Sequence, residues 1–472
     1  MRVDWLSVAM LILMHGFGVM LALGAARRSH TAQGALAWAM SLSLIPWLAI
    51  PAFLLLGPRR LERLRVGQDA ARAAALEALA ADTLPVAPPG SALTRRRLGA
   101  LQALAPIPVV QGAPPKLLID GEAIFEALFA AIDRAEHSIR AQFYILRDDG
   151  LGRRFKQALI ARARDGLCVQ LLYDSIGARR VPNRYWRELQ AAGVQVRRFD
   201  IGRPLPRLLR INYRNHRKIV AVDSRWALLA GANIGDEYLG LKPRLSPWRD
   251  TAVALRGPAA RAVEASFLED WVWSGGQAGP ARPDAALPNG GTPTLILPTG
   301  PADPRPACTM MICHLLTEAR HRAWVASPYF VPELDVAAAL KLAALRGVDV
   351  RVLIPDHPDH RLVWLAGFAY AEEMLRAGVK LYRYSTGFMH QKVMLIDSWA
   401  AAIGTANLDS RSLRLNFEIT ALLFDAGTVC EVAEMLRADF ARARRYDQAV
   451  HDRRGRLVRV FSPLARLTAP LL

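Results

Sequence analysis

The pattern H-x-K-x4-D occurs twice in this chain: His216, Lys218 and Asp223 in NHRKIVAVD, then His390, Lys392 and Asp397 in HQKVMLID. A histidine two residues before a lysine supplies what phosphoryl transfer needs, a nucleophile or acid beside a cation for the phosphoryl oxygens. One copy alone carries little weight, because a lone histidine near a lysine is ordinarily part of a surface strand. Here each copy is followed by an asparagine near a glycine, Asn233 in LLAGANIGDEY and Asn407 in AAIGTANLDSRS. A single step of 174 residues carries the histidine, lysine, aspartate and asparagine onto their second copies. The chain is internally duplicated, and a repeat kept only for packing has no need of polar residues on a buried strand face.

The elements that must hold these residues read as α/β. Each half opens on a helical pattern such as FEALFAAIDRAEHSI and then alternates short β-branched runs with further helices. The echo reaches upstream, from Ile139–Ile145 (IRAQFYI) to Val325–Val331 (VASPYFV) and from VQLLYDSIG to VRVLIPDHP. KIVAVD and KVMLID are buried-strand runs. In an extended chain residues i and i+2 share a face, so each lysine points with its histidine while the aspartate five positions on points elsewhere. Parity therefore gives Asp223 and Asp397 a structural role at the strand end. Between Gly193 and His216 the first half carries an insertion, DIGRPLPRLLRIN, that the second half lacks.

Composition sets the surroundings. The 472 residues suit two domains with an appendage, and the net charge of +19 predicts a polyanionic partner, either nucleic acid or an anionic lipid surface. Cys168, Cys308, Cys313 and Cys430 form no C-x-x-C pair, which argues against a zinc site or disulfide framework and for buried free thiols. Trp5 to Ala26 and Ala35 to Leu56 contain no charged residue, and each approximates the ~20 residues that cross a hydrocarbon core. Two membrane helices are expected, with Pro46 and Pro51 tolerated inside the second. Arg2, Arg59, Arg60, Arg63 and Arg65 outnumber Arg27 and Arg28 of the connecting turn, so the body belongs on the cytoplasmic side. Residues 59 to about 82 read as a basic, alanine-rich helix that, with LPVAPPGS and TRRRLG, forms a linker near lipid headgroups.

These residues resemble the phospholipase D superfamily, and within it the bacterial cardiolipin synthases. The resemblance runs over nearly the whole chain. It is carried by the two H-x-K-x4-D segments, GANIGDEYLG with PWRDT, GTANLDSRSLRLNFE, SPYFVPE and the paired apolar spans ending in FLLLG. It implies two similar phospholipase D-like α/β units packed face to face, preceded by two transmembrane helices. The expected layout is 1–58 anchor, 59–115 basic helix and linker, 116–285 first unit, 286–447 second unit and 448–472 basic amphipathic tail. Both motifs would meet at one site, with no metal or other cofactor. The resemblance makes His216 the nucleophile and His390 the general acid and base, with the reverse assignment open. Lys218, Lys392, Asn233 and Asn407 would bind phosphoryl oxygens. Each histidine needs a carboxylate to hold its tautomer, and by family position Asp250 would orient His216 and Glu418 would orient His390. Tyr329 and Phe330 would line the site or pack behind it.

The implied reaction joins two phosphatidylglycerol molecules into cardiolipin and glycerol at a bacterial inner membrane. A hydrolase, a phosphatidylserine synthase and a synthase using phosphatidylethanolamine are the alternatives within the superfamily. A nuclease is disfavoured by the two spans and by the lack of an aromatic and basic strand platform. The non-enzymatic alternative is a scaffold that binds anionic lipid; lysines and arginines alone would serve it. The insertion RPLPRLLRINYR, with Arg203, Arg207, Arg210 and Arg214 among leucines, is a candidate membrane-facing entrance, with a solvated basic loop as the other reading. The tail RRGRLVRVFSPLARLTAPLL has the same character, with packing on the second unit as the other reading.

Overall fold

In the computed structural model of the chain the described residues are 5–29, 32–57, 62–79, 92–199, 212–279 and 291–469. They form two compact units. One holds the residues up to Gly67 together with Asn212 and Tyr213, and the other holds the remainder. Of the residues expected to line a membrane-facing entrance, Arg203, Arg207 and Arg210 lie outside the described residues, as do Arg59, Arg60, the LPVAPPGS segment and 470–472.

In the first unit the charge-free stretches fold as helices that pack on one another. Trp5–Arg28 is, among the described residues, the one helix long and apolar enough to cross a membrane. The second stretch is not one helix. Ala32–Leu44 and Pro46–Leu56 are separated at Ile45, whose φ of −132° and ψ of 60° leave the helical region. Proline at 46 has no N–H to continue the ladder, and its ring pushes the preceding residue out of the α region. Gly18 lets the helices touch: a Cβ there would sit 2.2 Å from the carbonyl oxygen of Leu42. Ala22, Ala25, Ala49 and Phe53 complete the small contact core, a close approach typical of small residues between apolar helices.

The second unit contains the duplicated halves, and the strand order of each repeats that of the other. The first sheet runs Lys116–Ile119, Thr251–Arg256, Trp226–Ala230, Ile219–Val222, Ser138–Phe143, Cys168–Asp174, Gln195–Phe199. The second runs Thr292–Thr299, Glu418–Leu423, Ala400–Gly404, Val393–Ile396, Arg322–Ala326, Asp349–Pro355, Lys380–Tyr384, with Ala443–Tyr446 added at one edge. At its other edge stands Val110–Gly112, which precedes the first half in sequence yet pairs antiparallel with Thr292–Thr299. This strand lies in the stretch expected to be linker. Both sheets combine parallel strands on one side with antiparallel strands on the other.

The halves face each other through helices that follow the last strand of each repeat. Pro258–Trp273, buried at every residue from Pro258 to Trp271, touches strands of both sheets. The middle residue of each H-x-K points away from its histidine and ties the strand to such a helix. Arg217 donates to Asp270 at 2.9 Å, and Gln391 donates to Asp439 at 2.7 Å. Asp439 also takes two hydrogen bonds from Arg249 of the opposite half, at 2.8 and 2.7 Å.

Several basic residues expected near headgroups are held by this body instead. Gln68 and Arg72 of the Glu62–Ala78 helix donate to Glu269 at 2.8 and 3.0 Å, and Ala71, Ala75 and Leu79 are buried. Arg96 and Arg97 lie 3.3 and 3.5 Å from Glu318. Arg214, the last arginine of the insertion, is buried and donates to Asp174 and Ser175 at 3.4 and 3.2 Å. Cys308 is buried, but Cys168 and Cys430 are exposed, one at a strand start and one on a helix, contrary to the reading of all four as buried thiols.

The motif aspartates close the strand ends. Asp223 accepts from the backbone N–H groups of Glu136, His137 and Ser138 at 2.7 to 2.8 Å. Asp397 does the same for Arg320, His321 and Arg322, at 3.0, 2.8 and 2.9 Å. Both adopt a left-handed backbone, φ 54° and 48°, which aspartate tolerates better than most residues. Asp397→Ala strands three donors and places alanine in that conformation. The expected cost is about 2–4 kcal/mol in denaturant unfolding of the detergent-solubilised chain; a loss under about 0.5 kcal/mol, the range of neutral surface changes, would remove the capping role.

Candidate active site

The two motifs meet where the halves cross. His216 N donates to the carbonyl of Phe417 at 2.9 Å, and His390 N donates to the carbonyl of Arg249 at 2.8 Å. Around these bonds Asn215 bridges Phe417, and Phe388–Met389 runs parallel to Trp248–Arg249. Each histidine is thereby laid beside the residue that precedes the other half's carboxylate.

The carboxylates are therefore exchanged relative to the expectation. His216 Nδ1 lies 3.0 and 2.9 Å from the two oxygens of Glu418, and His390 Nδ1 lies 2.9 Å from Asp250 Oδ2. Glu418 opens the strand Glu418–Leu423 of the second half, and Asp250 directly precedes the strand Thr251–Arg256 of the first. Those strand ends pair with the histidine segment of the opposite half, not their own. With ionised carboxylates, Nδ1–H of each ring is the donor and Nε2 is left with its lone pair.

Other side chains hold the carboxylates. Thr405 Oγ1 donates to Glu418 at 2.6 Å and Asn416 donates at 3.2 Å. Trp248 Nε1 and the N–H of Thr251 donate to Asp250 at 3.2 and 2.9 Å. Thr405 stands 174 residues after Gly231, where a Cβ would sit 2.1 Å from Asp250 Oδ1. The shorter aspartate is thus approached by bare backbone, and the longer glutamate is held by a hydroxyl. Sequence reasoning named neither Gly231 nor Thr405, although the repeat step pairs them.

The electrostatics keep the imidazoles neutral. Burial pushes both down to about 4, opposed by the carboxylates and assisted by Lys218 and Lys392. Burial would raise Asp250 and Glu418, but the imidazole each holds and the lysine nearby outweigh it; Asp250 falls to about 2. Both lysines are buried. Burial lowers Lys392 to about 8 and takes Lys218 well below the ordinary range. Lys218 Nζ donates to the carbonyl of His216 at 2.5 Å, and Lys392 Nζ to that of His390. Lys392 adds to the lowering of Lys218, and an entering phosphodiester anion would stabilise the charged form of both.

The remaining expected residues divide. Asn233 accepts from Ile145 N and donates to Tyr238 OH, both at 2.9 Å, so its amide is engaged in positioning a loop. Asn407 is buried, and its side-chain oxygen has no hydrogen-bond partner among the described residues. Asp223 and Asp397 sit at the far strand ends and belong to the frame, not to the reacting groups. Phe330 packs in the core, and the Tyr329 hydroxyl donates to Asp359 at 2.6 Å. The rings beside the histidines are Tyr144, with its centroid 5.2 Å from His216, and Trp248, 5.1 Å from His390.

Two outcomes test this geometry. Gly231→Ala displaces Asp250 from His390 and is expected to lower turnover by at least about tenfold, because displacements near 1 Å cost up to ~100-fold; circular dichroism would show the fold retained, and unaltered kinetics would contradict the assignment. The second concerns pH. Between the ordinary imidazole value of 6.5 and about 4 the folded histidines bind fewer protons than the unfolded chain. They make stability fall as pH falls through that window. The slope of melting temperature against pH should be shallower there in the His216→Ala/His390→Ala double variant than in the parent.

Comparison with known proteins agrees with this architecture. The family model described as cardiolipin synthase, PLD-like domain matches residues 128–271 and 312–444, one segment in each half. Cardiolipin synthase A of Pseudomonas entomophila (strain L48) is 42% identical over 467 residues, covering 98% of this chain and 97% of that one. Cardiolipin synthase A of Pseudomonas aeruginosa (strain LESB58) is 42% identical over 462 residues, covering 96% and 94%. The crystal structure of a phosphatidylserine synthase from Haemophilus influenzae Rd KW20 superposes with a TM-score of 0.62 at 16% identity, over 79% of this chain and 99% of that one, a likeness of fold. With both repeats matched and 42% identity along nearly the whole length, the chain belongs to the cardiolipin synthase family of phospholipase D-like proteins.

Proposed function

We propose that the site transfers a phosphatidyl group from one phosphatidylglycerol to the glycerol hydroxyl of a second, giving cardiolipin and glycerol. The observation that carries this reading is the pair of neutral histidines, each backed by a buried carboxylate of the other half and flanked by a buried lysine. His216 Nε2 attacks phosphorus as the phosphorus–oxygen bond to the departing glycerol breaks. His390 protonates that oxygen; the bound phosphodiester anion favours the imidazolium this requires. His390 then takes the proton from the incoming hydroxyl, whose oxygen displaces the phosphorus–nitrogen bond and restores His216. Lys218, Lys392 and Asn407 hold the non-bridging oxygens. One phosphodiester replaces another, so the exchange needs no nucleotide.

The membrane assignment is part of the same proposal. Trp5–Arg28 and the broken stretch Ala32–Leu56 cross the bacterial inner membrane as a hairpin, leaving the catalytic body on the arginine-rich cytoplasmic side. Support comes from the length and apolar composition of Trp5–Arg28, from the lack of charged residues in Ala32–Leu56, and from the packing of the two on one another.

Purified chain in vesicles of phosphatidylglycerol alone, without nucleotide, should yield cardiolipin and free glycerol by mass spectrometry. His216→Ala and His390→Ala should each lose at least about a thousandfold in rate, as for residues that act as a unit. Labelled phosphatidyl group trapped on His216 in the His390→Ala variant would identify the nucleophile, whereas phosphatidic acid as sole product would make the enzyme a hydrolase.

A further inference from the structure

We infer that the outward face of the Arg456–Arg466 helix is a docking surface for an anionic lipid bilayer, seated at headgroup depth. The structure divides this helix into arcs in a way the sequence does not announce. Val458, Ser462, Ala465 and, just beyond it, Ala469 turn inward, and the helix packs on Arg361–Arg376. The large apolar side chains turn outward. Leu457 is 72% exposed, Val460 60%, Phe461 48%, Leu464 54% and Leu467 77%. They recur at the three- and four-residue spacing that makes one continuous stripe. A helix at a protein–water surface buries its large apolar residues and exposes its polar ones; this helix buries a serine and an alanine and exposes leucines and a phenylalanine.

Charge selects the occupant. After Asp452 the chain contains Arg453, Arg454, Arg456, Arg459 and Arg466 and no acidic residue. Arg459 is aimed by hydrogen bonds to the carbonyls of Arg454 and Asp452, at 3.1 and 2.9 Å, and Arg466 lies 3.3 Å from Glu373 and over the ring of Tyr370. An apolar stripe edged by cations matches an interface of acyl chains beneath anionic headgroups. A second copy of the same face would bring like charges together. The Trp5–Arg28 helix, in the membrane reading above, keeps the body close to such a surface. The proposed surface would then hold the catalytic body at the bilayer in which its substrate resides.

The test reads depth and does not depend on turnover. In the full chain, with Cys168, Cys313 and Cys430 changed to serine and Cys308 left buried, a nitroxide is placed at Leu457→Cys, Phe461→Cys or Leu464→Cys, and at Glu431→Cys as an exposed control. The protein is reconstituted in vesicles of phosphatidylethanolamine and phosphatidylglycerol. Relaxation by oxygen should exceed that by a water-soluble nickel complex at the three helix sites, at a depth of about 5–10 Å, and the order should reverse at the control. Arg456→Gln/Arg459→Gln should reduce the depth in anionic vesicles. Nickel accessibility at all three sites equal to the control would overturn the proposal. So would exclusion of both relaxants with spin–spin broadening, which would place a second copy on the face. Repeating the measurement in the His216→Ala chain separates the docking surface from the catalytic reading.

Discussion

Each histidine of this enzyme takes its carboxylate from the other half of the molecule, and most of the structure follows from that exchange. A buried imidazole that must stay neutral and present Nε2 needs an acceptor at Nδ1. Glu418 and Asp250 can fill that role only if the strand ends that bear them are brought to the opposite motif. The short pairings of Asn215 with Phe417 and of Phe388–Met389 with Trp248–Arg249 do this. Neither half contains a complete site.

The exchange demands a precise seam, which the buried polar network supplies. Arg217 and Gln391 lie between the histidine and lysine of each motif, and alternation turns them away from the site into the helices at Asp270 and Asp439. Arg249, one residue before an orienting carboxylate, reaches across to Asp439. The same strands that aim the histidines are therefore clamped from behind. Buried charges of this kind are costly unless paired, and here the pairing also sets the register between halves.

The two halves are not equivalent in detail. Asp250 lies against the bare backbone of Gly231, while the longer Glu418 is met by the hydroxyl of Thr405 at the matching position. Asn233 is engaged by Ile145 and Tyr238, whereas the buried oxygen of Asn407 has no protein partner among the described residues. These differences leave the surroundings of His216 and His390 unlike in one duplicated scaffold.

Much of this was legible in the residues. The 174-residue step between motifs determined the duplication, and the matching strand orders of the two sheets follow from it. Strand parity placed each lysine with its histidine and sent Asp223 and Asp397 to the strand ends, where they bind backbone N–H groups. Tertiary structure alone decided which carboxylate serves which histidine, since a repeat pattern describes one half and carries no information about how the halves are set against each other. The same holds for Val110–Gly112, which crosses to the second sheet, and for Arg214, whose partner Asp174 lies on a distant strand. The break at Ile45 was visible as Pro46, but hydropathy counts apolar residues and not hydrogen bonds. The outward leucines of the C-terminal helix could be read only as amphipathic until its small residues were seen to face the protein.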